Sequence, residues 1–267
     1  MLDKQLEKDS LEPVPWVKEK LQSNGIILHS LDGYSVTDKV TALFERRFSS
    51  VPVEEWTEEE VALAIQAQKG ASWPQRIMLS THLEVPLYLV IYQRDVEEFR
   101  VFAIRGLSQE LVNHTASFRS CLDLAKWLAR LKGIQVTKEF AERSYLSMID
   151  RCLRRCGVPW PGNLDGFLVD ERNVIAVFEF RLTNIASIRD HELNKYFEED
   201  RNGWMALELL RKMAKTTLYI VVWSNNERDV KMLKVADVTS KGLVYESTQI
   251  WSETNLVQNF KEILATS

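Results

Sequence analysis

The feature that most restricts this chain is a pattern written twice, about 133 residues apart. Residues 31–48 read LDGYSVTDKVTALFERRF, and residues 164–182 read LDGFLVDERNVIAVFEFRL. Leu31, Asp32 and Gly33 answer Leu164, Asp165 and Gly166. Val40, Ala42, Phe44, Glu45 and Arg47 answer Val174, Ala176, Phe178, Glu179 and Arg181, with one more residue in the second turn. The match extends outward. Leu21 and Gly25 answer Leu153 and Gly157, Trp73 answers Trp204, and LYLVIY (87–92) answers LYIVVW (218–223). Apolar strands align easily by chance. Asp-Gly, Glu-x-Arg, Trp and Leu-Tyr recurring in one order do not, so a two-copy duplication is expected.

Each copy reads as helix, hairpin, helices, hairpin, helix around one mixed sheet. Thr57 is a fitting helix cap, followed by Glu58, Glu59 and Glu60, with the helix running to about Lys69. Pro74 suits a helix start in the less regular stretch from Trp73 to Leu83, whose counterpart, Trp204–Lys215, is plainly amphipathic. Residues 87–92 with 98–104, and 218–223 with 230–235, read as β-branched and aromatic hairpins. Residues 105–115 read as a polar connection, and 183–189 as a loop. Helices are expected over 117–131, 139–156, 190–202 and 255–264. Lys132-Gly133 ends a helix, which places two domains at 1–132 and 133–267.

Composition narrows the class. The chain has 267 residues, 45% hydrophobic and 27% charged, enough for each half to bury a core. A net charge of −4 gives no general attraction to nucleic acid or anionic membrane, so a nucleic-acid partner needs local basic patches. Such clusters occur at Arg151, Arg154 and Arg155, at Arg211, Lys212 and Lys215, and at Lys126, Arg130 and Lys132. No apolar run approaches the ~20 residues that span a bilayer, and the charged start lacks a secretion signal's apolar core. Cys121, Cys152 and Cys156 form no even framework, which suggests a reducing, cytoplasmic setting, with Cys152 and Cys156 as core residues. His29, His82, His114 and His191 have no metal-ligand spacing, and no phosphate-binding glycine loop or dinucleotide fingerprint occurs.

Chemistry concentrates in the repeated hairpins. Alternation along a strand puts Glu179 and Arg181 on one sheet face, with Asp165 on the partner strand able to reach it. Two carboxylates on adjacent strands suit Mg²⁺ or Mn²⁺ sharing a phosphate oxygen, and a neighbouring guanidinium suits the charge that builds on a phosphoryl group. Asp32, Glu45 and Arg47 form the equivalent set in the first copy. Arg46 crowds that set, while the second continues into polar Thr183 and Asn184, so the second is the better candidate. The plain reading is a turn followed by a structural ion pair.

An Asp opening one strand and Glu-x-basic ending the next, as in LDGFLVD…VFEFR, resembles the PD-(D/E)XK nuclease superfamily. The resemblance covers the central part of each copy. It implies an α/β chain of two tandem restriction-endonuclease-like domains, each a mixed β-sheet flanked by helices, forming a pseudo-two-fold single chain. It implies a magnesium-dependent endonuclease acting on duplex or branched DNA. Asp165 and Glu179 would hold the metal and Arg181 would stand where the family has lysine, with Asp32, Glu45 and Arg47 as a second candidate site. Relatives often add an acid from the preceding helix, for which Glu139, Glu142, Glu12 and Glu19 are candidates. Arginine keeps the charge but does not give up its proton, so the alternative is a catalytically inactive nuclease-fold protein. Such a protein would bind nucleic acid or a protein partner, in a larger complex or as a scaffold.

Overall fold

The computed structural model describes residues 4–8, 15–68, 72–134, 146–184 and 187–265. Its elements run β1 (Leu6–Glu7), α1 (Trp16–Ser23), β2 (His29–Val36), β3 (Val40–Ser49), α2 (Glu58–Ala67), α3 (Trp73–Leu83), β4 (Leu87–Gln93), β5 (Val96–Ile104), β6 (Val112–Phe118), α4 (Cys121–Lys132) and α5 (Met148–Arg155). They continue with β7 (Gly162–Val169), β8 (Val174–Leu182), α6 (Arg201–Ala214), β9 (Thr217–Trp223), β10 (Val230–Thr239), β11 (Gly242–Trp251) and α7 (Leu256–Ala265). The chain is mixed α/β, with seven α-helices among the described residues. None of those helices is long and apolar enough to cross a membrane.

The chain divides into two compact units, one drawn from 1–12 and 31–163, the other from 13–30 and 164–267. In the first, the strands lie in the order β2-β3-β4-β5-β6, with β1 also on β3. β3 and β4 are parallel and the other neighbours antiparallel. The second unit has the order β7-β8-β9-β10-β11 with the same succession of directions. Registers agree as well. Gly33 lies opposite Phe44 as Gly166 does opposite Phe178, and Phe44 is beside Tyr88 as Phe178 is beside Tyr219. A parallel pair needs a crossover, and α3 and α6 supply it.

Local chemistry accounts for several boundaries. Thr57 and Glu60 form a reciprocal capping box at the start of α2. Pro74 sits in the first turn of α3, which settles the less regular stretch as a helix. In the β7–β8 turn, the Asp170 Oδ1 accepts from the Arg172 and Asn173 N–H groups at 2.6 Å each, a side-chain-closed turn. Three expectations change. Residues 112–118, expected within a polar connection and the start of a helix, form β6, and β11 was not anticipated. Both are largely exposed or half-exposed along a sheet edge, where little apolar burial marks the pattern. The stretch 190–202 is mostly short 3₁₀ turns rather than one helix.

The cores explain where compactness divides the chain. In the first unit, Phe44, Val90, Tyr92, Phe99 and Val101 pack against Leu124 and Leu128 of α4 and against Ile149, Cys152 and Leu153 of α5. In the second, Leu168, Ala176, Phe178, Val221 and Met232 pack against Leu256 and Phe260 of α7 and against Val17 and Leu21 of α1. The helix preceding β2 therefore belongs to the second core, and the helix preceding β7 to the first. The division falls at 163/164 with an exchanged helix, not at the expected 132/133. Burial of each helix's apolar stripe outweighs chain proximity.

The three cysteines also differ from expectation. Cys121 at the start of α4 and Cys152 of α5 form a disulfide, with Cα atoms 5.5 Å apart, while Cys156 is a free thiol. Neighbouring helix faces brought them together, which their spacing of 31 residues could not show.

Candidate active site

In both hairpins the aspartate reaches across to the partner strand in the same way. Asp32 Oδ2 accepts from the Arg46 N–H at 3.1 Å, and Asp165 Oδ2 accepts from the Phe180 N–H at 2.9 Å. Each bond goes to the residue between the Glu and the Arg, so the three expected side chains do meet at one place in each unit. Gly33 is required for the first arrangement. A Cβ there would lie 2.9 Å from Trp160 Nε1, which donates to the Asp32 carbonyl at 2.9 Å.

Around Asp32 the charges are closed on themselves. Arg47 contacts Asp32 Oδ2 at 3.0 Å and Glu45 Oε2 at 2.7 Å, Arg76 contacts Glu45 Oε1 at 2.9 Å, and Lys8 contacts Asp32 Oδ1 at 3.3 Å. Arg47 and Arg76 both lie over the Trp73 ring, 5.3 and 5.5 Å from its centroid. Glu45, Arg47 and Arg76 are buried. Burial raises the Asp32 pKa, but Arg47, Lys8 and the Arg46 N–H outweigh it and hold the group down to about 2. Burial, with Asp32 beside it, pushes Glu45 up against the pull of Arg76 and Arg47. Three cations already meet two carboxylates here, so this set does not fit a further cation.

The second site is built with different neighbours. Arg181 contacts Glu179 at 3.1 Å, then turns to Asp200 at 2.8 Å, with its guanidinium carbon 4.4 Å from the Trp204 ring centroid. Leu207 stands at the position answering Arg76, so no second guanidinium reaches the glutamate from that helix position. Lys18 of α1 donates to the Asp165 carbonyl at 2.6 Å and lies over the Phe180 ring. Burial, and then Asp165 nearby, push the Glu179 carboxyl up to about 8 despite Arg181. Arg181 Nε is buried with no acceptor among the described residues. A pocket of about 460 Å³ opens beside it, lined by Arg181, Thr183, Asn184, His191, Asp200 and Trp204 among others.

Two carboxylates, all oxygen donors, are of the donor type that a hard divalent ion takes when it completes its shell with water and phosphate. Among the described residues no cluster of three or more His, Cys, Asp or Glu side chains is arranged to hold a metal. Of the candidate helix acids, Glu139, Glu142 and Glu12 lie outside the described residues, and Glu19 is exposed on α1 in the second unit. Two of the basic clusters are partly turned to internal pairs. Arg155 contacts Glu97, and Arg211 and Lys212 both contact Glu208. Lys132 donates to the Pro159 carbonyl.

Sequence reasoning missed Arg76, Lys8 and Asp200, and read Trp73 and Trp204 only as packing residues. Arg76 had a legible signal, since the matching position in the second segment is leucine. Asp200 had none, because it comes from an irregular segment.

No protein-family model and no curated protein matches the chain. Among solved structures, one titled as the crystal structure of Sex pheromone staph-cAM373 precursor is similar at 11% identity, covering 93% of this chain and 84% of that one. Its TM-score is 0.17, too low to inform either the fold or the site.

Proposed function

We propose that the chain is a divalent-metal-dependent DNA endonuclease with one working site, Asp165, Glu179 and Arg181, in a duplicated restriction-endonuclease-like fold. The shared strand order and hairpin register support the duplication. One observation carries the activity: Glu179, partly buried and near Asp165, is paired with Arg181, which lines an open pocket. In this reading Asp165 and Glu179 offer their oxygens to Mg²⁺ or Mn²⁺. Bound metal would supply charge neutralisation at the scissile phosphate and a more acidic water. Arg181, held by Glu179, Asp200 and the Trp204 face, presents a guanidinium to the pocket. The Asp32 set serves as the structural counterpart. The reading carries a cytoplasmic location, where Cys121 and Cys152 would pack as thiols.

The test is incubation of supercoiled and linear DNA with Mg²⁺ or Mn²⁺, comparing wild type with Asp165→Ala and Glu179→Ala. Cleavage is expected in the wild type and lost in both variants. Cleavage that persists unchanged in both removes the site. The second reading, a catalytically inactive nuclease-fold protein binding nucleic acid or a protein partner, is favoured by the sealed Asp32 network and by arginine in both copies. Salt-sensitive DNA binding without cleavage would select it.

A further inference from the structure

The pocket beside Arg181 holds more than the cleavage reading uses. His191 and Trp204 line it and are buried, 8% and 2% exposed. Burial, and then Lys231, lower the His191 pKa, so the ring is neutral near pH 7 and carries one donor and one acceptor. Tyr196, also lining the pocket, is 44% exposed, and its ring lies nearly parallel to His191, at 15° and 5.8 Å. At about 460 Å³ the space is within the range of small-molecule sites.

The chemistry selects the occupant. Glu199 and Asp200 put carboxylates on the wall, and Arg181 is already shared between Glu179 and Asp200. A bare phosphate would meet repulsion there. A nucleobase would not. Its exocyclic amine suits a carboxylate, its ring atoms suit the Asn184 amide, and its face suits Tyr196. A base inside a duplex is stacked on both sides and paired on its edge, so only an unpaired base can enter.

We infer that this pocket receives one unpaired nucleobase of the strand whose phosphate meets Asp165 and Glu179, making the substrate single-stranded or branched DNA rather than continuous duplex. This rests on the nuclease reading of that pair. The test is a fluorescence-anisotropy titration in EDTA with a fluorescein-labelled single-stranded oligonucleotide and with the same sequence as a blunt duplex. The single strand is expected to bind about tenfold or more tightly than the duplex. Tyr196→Ala should weaken it by about 5- to 150-fold, the range for loss of one stacked base, while Tyr196→Phe retains it. Equal affinity for the two forms, no binding, or an unaffected Tyr196→Ala overturns the inference. The metal-dependent cleavage assay run alongside separates the two ideas. Absent cleavage with a retained single-strand preference sinks the nuclease reading alone. Intact cleavage with an indifferent Tyr196→Ala sinks the pocket alone.

Discussion

Asp32, Glu45 and Arg47 sit at the same strand positions as Asp165, Glu179 and Arg181, and both aspartates accept from the same backbone N–H of the partner strand. Their surroundings differ by a few side chains. Around Asp32, Lys8 and Arg76 join Arg47 and the charges close. Around Asp165, leucine replaces Arg76, Arg181 is drawn toward Asp200, and a pocket opens. Identical residue types therefore do not make identical sites. The side chains gathered around each carboxylate pair decide how enclosed it is.

That comparison breaks most readily at Arg76. Arg76→Leu gives the first unit the second unit's residue and leaves Glu45 buried with one guanidinium fewer. Roughly 3–5 kcal/mol should be lost in urea unfolding, with part recovered by adding Glu45→Gln. A loss below about 1 kcal/mol would mean that charge does not hold the first network together.

The exchanged helices offer the next contrast. α5 is tied to α4 by Cys121–Cys152, whereas α1 is tied near the start of α7 by Lys20–Glu253 at 3.2 Å. Under oxidising conditions, Cys152→Ser should cost about 3–4 kcal/mol, the loop-closure value for a separation of 31 residues. A chain equally stable with and without reductant would show that the helix docks by packing alone.

The two acids also predict opposite responses to pH. Asp32, held down to about 2 against a usual 3.8, contributes stability that is present above 3.8 and lost as pH falls through 2. Asp32→Asn should cost about 2 kcal/mol at neutral pH and converge with wild type in acid. Glu179, pushed from 4.5 up to about 8, contributes stability that is full below 4.5 and lost as pH rises through 8. Glu179→Gln should flatten part of the decline between those values, read from unfolding free energies at pH 5, 7 and 9. The smallest effect is expected at Lys20→Ala. That pair is solvent-exposed, and its loss should cost under about 1 kcal/mol, against the larger cost at the disulfide.

The hairpins, the capping box at Thr57 and the helices α3, α6 and α7 were legible from periodicity and local chemistry. The meeting of Asp, Glu and Arg was legible because strand alternation fixes faces over short distances. The edge strands β6 and β11 were not, since exposed residues carry little hydrophobic signal. Nor was Asp200, which reaches Arg181 from an irregular segment.

By itself, then, the sequence determined two like successions of elements and the placement of a carboxylate pair with a guanidinium on each central hairpin. Those depend on alternation and local caps, which act over a few residues. Tertiary structure decided which core each helix joins, which cysteines meet, and which side chains surround each carboxylate pair. Those outcomes depend on burial and on charges brought together from distant parts of the chain, and nothing in the local pattern encodes such distances.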